Sequence, residues 1–145
     1  MKFEYEKDKL FFENLLCDKD EKIEKFSQLF DFRNPYQKRK EFASIRNKIL
    51  DQFIMQKGKI CELNFPNICD LRSGFNIDHI IPLSSNILNK TLRKLHNEKG
   101  CKVKTQSFGS NNECNLILSC KKCNNYKKHR FLEKNQIREL LNNKF

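Results

Sequence analysis

Apolar side chains recur at helical spacing in the first part of the chain. Leu10, Phe11, Leu15 and Leu16 share one stripe, and Ile23, Phe26, Leu29 and Phe30 share another. The pattern predicts two short amphipathic helices over residues 8–30, with Asp18 and Asp20 as candidate caps between them. A longer helix is predicted from Asn34-Pro35, an N-cap followed by proline at the first helical position, to a stop at Gly58. Phe42, Ile45, Ile49 and Phe53 keep one face of it, and Leu50 and Ile54 widen that face. Lys38, Arg39, Lys40, Arg46 and Lys48 fall on the other face, which reads either as a track for a phosphate backbone or as a solvated surface.

From Lys59 the period shortens. Cys61 to Cys69 is broken by Pro66 and by asparagines, which predicts a tight loop. Ser73-Gly74 signals a turn into a strand over Phe75 to Ile80, closed by Pro82. Ser84-Ser85 caps a predicted helix on Ile87, Leu88, Leu92 and Leu95 that ends at Gly100. Residues 101–113 read as an irregular loop and Asn115 to Leu118 as a second short strand. A basic helix follows from Cys120 to Arg130, then a last amphipathic helix on Phe131, Leu132, Ile137, Leu140 and Leu141. The expected fold class is therefore α+β. Residues 1–58 form an N-terminal helical region, and residues 59–145 form a second domain ending in a C-terminal helix.

Charge narrows the partners. The chain carries 29 Lys+Arg against 18 Asp+Glu, and the first thirty residues hold only 6 of the basic groups but 8 of the acidic ones. The remainder is thus strongly basic, which favours a polyanion such as double-stranded DNA, because each neutralised phosphate releases counterions. No apolar run is long enough to cross a membrane, and Met1 to Glu6 offers no apolar core of a secretory leader. A cytoplasmic, reducing setting is the expectation, and in it seven cysteines point to metal ligation rather than disulfides.

Cys120-x2-Cys123 has the spacing of a zinc knuckle, and a tetrahedral ion needs two further ligands. Cys61 and Cys69 are favoured, because that choice clamps the strand–strand–helix unit from both sides; Cys101 and Cys114 are the rival pair. Catalytic chemistry is suggested by Asp78-His79 at a strand end. A neutral histidine is a suitable base near pH 7. A carboxylate beside it can hold a hard cation such as Mg²⁺ through oxygen, with the Asn124 carbonyl as a second oxygen ligand. His96 is assigned a structural role.

The order of these residues carries a resemblance. Ile77-Asp78-His79-Ile80-Ile81-Pro82-Leu83, then Asn115-Leu116, then Cys120-Lys121-Lys122-Cys123-Asn124-Asn125-Tyr126-Lys127 is similar to the HNH (ββα-metal) nuclease family, over about Lys59 to Arg130. The resemblance implies a β-hairpin and helix around one catalytic Mg²⁺ (or Mn²⁺), supported by structural Zn²⁺. It implies His79 as general base, Asp78 and Asn124 as metal ligands, and Asn115 as a brace for the His79 loop through backbone hydrogen bonds. Lys127 is implied near the scissile phosphate. Lys128, His129 and Arg130 are candidate DNA contacts, His129 alternatively a plain surface residue. The gap from His79 to Asn115 is long for the family, so residues 84–113 read as an insertion for specificity or dimer contacts. The implied activity is DNA hydrolysis leaving 5′-phosphate and 3′-hydroxyl ends. A small sequence-specific type II restriction enzyme, working as a homodimer on a palindrome, is the expected form. A non-specific, phage or homing nuclease, or a non-catalytic zinc-binding module that only grips nucleic acid, are the alternatives.

Overall fold

The computed structural model describes residues 2–18, 20–96 and 98–145. Its order is α1 (Glu6–Leu16), a 3-10 turn (Ile23–Leu29), α2 (Pro35–Lys57), β1 (Phe75–His79), β2 (Ser84–Ser85), α3 (Ile87–Thr91), β3 (Gln106–Ser107), β4 (Leu116–Cys120), α4 (Lys121–Lys127) and α5 (Lys134–Asn142). The chain is a mixed α+β structure with two small antiparallel sheets, β1–β4 and β2–β3. No helix among the described residues is long and apolar enough to cross a membrane.

The sheet β1–β4 forms the centre, with Phe75 opposite Cys120, Ile77 opposite Leu118 and His79 opposite Leu116. Alternation along a strand sends successive side chains to opposite faces. Ile77, Leu116 and Leu118 therefore pack under α2, against Ile49 and Phe53. Asp78 and Ile117 turn the other way, and Ile117 joins the larger core of Phe12, Leu16, Phe108, Cys123 and Ile137. That core draws on residues from both sides of position 58, so the N-terminal helices and the rest of the chain share one interior.

α2 begins and ends as its sequence predicts. The Asn34 side chain accepts from the Tyr36 amide at 2.8 Å, and Gly58 takes a left-handed φ of 78° while its N–H closes on the Ile54 carbonyl. Lys38 departs from the predicted basic face. It is fully buried, and its Nζ donates to the Asp31, Leu83 and Gly109 carbonyls at 2.6, 2.8 and 2.6 Å. Three carbonyls converge on one ammonium and satisfy its donors, yet burial still lowers its pKa to about 8. Arg39, Lys40, Arg46 and Lys48 remain exposed.

Several predicted boundaries shift for tertiary reasons. The second N-terminal helix is a 3-10 turn kinked at Phe26. The helix predicted to Gly100 stops at Thr91, ahead of a left-handed Lys94, and Arg93 bonds Asp8, Asn89 and Gln106. Leu95 and His96 are exposed, so His96 has no buried structural role. Residues 101–113 are not wholly loop, since β3 pairs with β2 and Phe108, Gly109 and Ser110 are buried. Gly109 sits so close to the chain at Ile81 that a Cβ there would lie 2.0 Å from the Ile81 carbonyl oxygen. α4 ends at Lys127, before a left-handed Lys128, rather than at Arg130, and Phe131 and Leu132 precede α5.

Candidate metal centre and adjoining acid–histidine site

Four thiols converge where the sequence placed a zinc site. The Sγ atoms of Cys61, Cys69, Cys120 and Cys123 all lie within 4.8 Å of one another, Cys120 and Cys69 at 3.9 Å. Zn–S bonds of about 2.3 Å in a tetrahedron need sulfurs roughly 3.8 Å apart, so the set fits a zinc-sized ion. The seven-residue gap closes through left-handed Asn64 and Asn67 and a turn in which the Cys69 amide bonds the Phe65 carbonyl. Backbone amides already point at sulfur. The amides of Asn64 and Cys120 donate to Cys61 Sγ at 3.3 and 3.2 Å, and Cys120, the N-cap of α4, accepts the Cys123 amide on its Sγ at 3.3 Å. Burial pushes the Cys120 thiol up, but the amides of Cys123 and Asp70 outweigh it and bring it down to about 6, toward the thiolate a metal takes. Cys101 is exposed and Cys114 lies outside the group, so the rival pair is set aside.

α4, anchored by Cys120 and Cys123, runs against β1 and brings Lys127 to the acid. Lys127 Nζ lies 3.3 Å from Asp78 Oδ2 and donates to the His79 carbonyl at 2.8 Å. Asp78 Oδ1 accepts from the His79 amide at 2.8 Å. Oδ2 is within ion-pair range of Lys127 but off hydrogen-bond direction, and this buried oxygen has no hydrogen-bond donor. Burial raises the Asp78 carboxyl and Lys127 opposes the rise; burial lowers the Lys127 amine and Asp78 opposes the fall. Lys127, which the resemblance implies near a phosphate, is 2% exposed and turned inward to this pair.

Asn115 is fully buried and uses its whole side chain as a brace. Its Oδ1 accepts from the Ile81 amide at 2.8 Å, and its Nδ2 donates to the Ile81 and Ser110 carbonyls at 3.0 and 2.8 Å. Its own carbonyl receives the Ile80 amide. The chain just after His79 is thus held on both sides of Ile81.

His79 faces α2, away from Asp78. It is 7% exposed, with its ring edge-on to Phe42 at 4.6 Å between centroids and Nε2 2.9 Å from Asn111 Oδ1. Burial lowers its pKa to about 4, so the imidazole is neutral near pH 7. Asn124 sits half-buried one turn ahead of Lys128, and Lys128, His129 and Arg130 are exposed. His129 lines an open cavity of about 470 Å³ with Asn34, Arg39, Ser84 and Thr105. The contacts of Phe42 and Asn111 with His79 escaped the sequence, which placed Phe42 only on the apolar stripe of α2 and Asn111 only in a loop. Nothing in a helical apolar stripe or in a loop asparagine signals contact with a histidine more than thirty residues away in the chain.

Chemically, the arrangement offers a neutral base, a carboxylate with one undonated buried oxygen, and a rigid thiol cage behind them. The four thiols suit zinc. Comparison with protein-family models, curated proteins and solved structures gives no match for this chain.

Proposed function

We propose that this protein is a DNA endonuclease of the HNH type, supported by a structural zinc at Cys61, Cys69, Cys120 and Cys123. The observation that carries the reading is the contact of Lys127 with Asp78 and the His79 carbonyl at one strand end, where Asn115 bonds the backbone of the next two residues, Ile80 and Ile81, on the unit that the thiol cage anchors. In this reading His79 takes the proton from the attacking water. Asn115 keeps the turn after His79 rigid, so that the base does not drift from its target. Lys127 holds the Asp78 carboxylate in place through its charge. A divalent cation held by Asp78 and Asn124 would supply charge stabilisation at the phosphate and the leaving oxygen. Lys128, His129, Arg130 and the exposed basic groups of α2 contact the DNA backbone. Sequence-specific cleavage by a homodimer is the form proposed, with Mg²⁺ or Mn²⁺ as the cation.

One observation favours the alternative of a zinc-binding module without catalysis: His79 lies under Phe42 and points away from Asp78. Incubating the protein with several DNAs, with and without Mg²⁺, beside His79→Ala separates the two. The nuclease reading expects metal-dependent cleavage that His79→Ala lowers by roughly 10²–10⁴-fold. Discrete fragments support restriction-type specificity. Equal cleavage by His79→Ala removes the general base from the proposal, and binding without any cleavage makes the protein a binding module.

A further inference from the structure

We propose that Asn111 is a positioning residue that fixes the proton of His79 on Nε2 and leaves the lone pair on Nδ1. The role of Nδ1 as the base rests on the nuclease reading above; the proton position does not.

The assignment follows from hydrogen-bond directions. Asn111 Nδ2 lies 2.9 Å from the backbone carbonyl of Lys38, an atom that only accepts. The amide group of Asn111 is therefore oriented, with its nitrogen toward α2 and its Oδ1 toward His79. Oδ1 also only accepts, and it lies 2.9 Å from Nε2. Nε2 must then donate, and a neutral imidazole carries one N–H alone. The lone pair available to take a proton is consequently the one on Nδ1.

The same contacts fix the plane of the ring. Phe42 stands edge-on to it, and Phe42 and the Lys38 carbonyl both belong to α2. The far end of that helix turn is tied down independently, by Lys38 Nζ on the carbonyls of Asp31, Leu83 and Gly109. Asn111 itself follows Gly109 and Ser110, both buried, with the Gly109 amide on the Pro82 carbonyl at 2.8 Å. The stretch between His79 and Asn115 thereby returns the chain so that an amide meets the imidazole from the α2 side. A base whose tautomer is set by an outer partner is a general device, and loss of such partners around functional histidines lowers activity roughly 10–100-fold.

The test uses the full zinc-loaded chain with ¹⁵N-labelled histidine. Only three histidines are present, so the His79 ring signals are identified by their loss in His79→Gln. Long-range ¹H–¹⁵N spectra at neutral pH should show His79 in wild type as a single Nε2–H tautomer. Asn111→Leu should turn it into a mixture of tautomers while zinc content and the other two histidines stay unchanged. Should leucine at 111 unfold the chain, Asn111→Ala carries the same measurement. A wild-type His79 protonated on Nδ1, or an unaltered Nε2–H pattern in a folded Asn111 variant, overturns the assignment. Where wild type cuts DNA, Asn111→Leu should lower kcat by roughly 10–100-fold with KM for DNA unchanged; an unchanged kcat removes the positioning role. Absence of cleavage by wild type counts against the nuclease reading alone and leaves the spectra to decide the proton.

Discussion

Sealed between Phe42 and Asn111, the imidazole of His79 has lost the water that would stabilise its charged form, and burial holds its pKa at about 4. In the unfolded chain the same group titrates near 6.5. Above that pH both states are neutral at this position and its contribution to stability is intact. As pH falls from about 6.5 to 4, the unfolded chain binds a proton that the folded chain refuses, so the fold loses on the order of 3 kcal/mol across that window. Urea unfolding of protein free of added divalent ions should show this loss, and His79→Gln should remove that part of the slope. Parallel pH profiles for the two proteins would mean the ring is not shielded as described. Asp78 and His79 were legible as a pair in the sequence. The burial of that pair, with Lys127 turned onto it, was not, because it depends on helices distant in the chain.

α4 is seven residues long, too short to hold together by its own hydrogen bonds. Cys120 caps its first turn and Cys123 faces the cage, so the helix exists as part of the metal centre. Apparent binding energies for structural zinc, about 10–16 kcal/mol in small peptides, rival the whole stability of a domain. The protein as purified should hold one zinc by mass spectrometry, and Cys120→Ser should lose it together with a lowered melting temperature by circular dichroism. Cys101→Ser should keep the metal; zinc lost there and retained in Cys120→Ser would reverse the ligand set. At this scale the sequence was most informative where local chemistry governs, as in α2 with Asn34, Pro35 and Gly58. It was least informative around Arg93, whose ion pair to Asp8 at 2.8 Å links segments 85 residues apart that no helical periodicity relates.

The molecule as a whole carries a formal charge of +11, and its first thirty residues are net acidic, with 8 acidic groups against 6 basic ones. A surface of this kind should bind double-stranded DNA with an affinity that falls steeply with salt. If about four phosphates are neutralised, the slope of log K against log salt is about −3.6. Replacing Lys128 and Arg130 together by alanine should make that slope shallower by roughly 2, measured by fluorescence anisotropy without Mg²⁺. A slope near zero in wild type would show that the basic balance merely keeps the protein in solution. Two elements far apart in the chain, α2 and the exposed segment after α4, meet around the cavity shared by Arg39 and His129.

Local chemistry alone carried the α+β character, the N-cap and C-cap of α2, and the Cys120-x2-Cys123 knuckle, with Cys61 and Cys69 favoured over Cys101 and Cys114 as its partners. Each of these rests on residue type and spacing, because thiol ligation and capping need particular groups at short range. Tertiary packing decided the rest. Lys38 went inside because three carbonyls from separate segments converge on it, and Lys127 turned inward because Asp78 is buried beside α4. Asn111 reached His79 because the chain closes at Gly109, where only a residue without a Cβ fits against Ile81. Such partners are fixed by the meeting of distant backbones, and no periodicity in one segment encodes where another will lie.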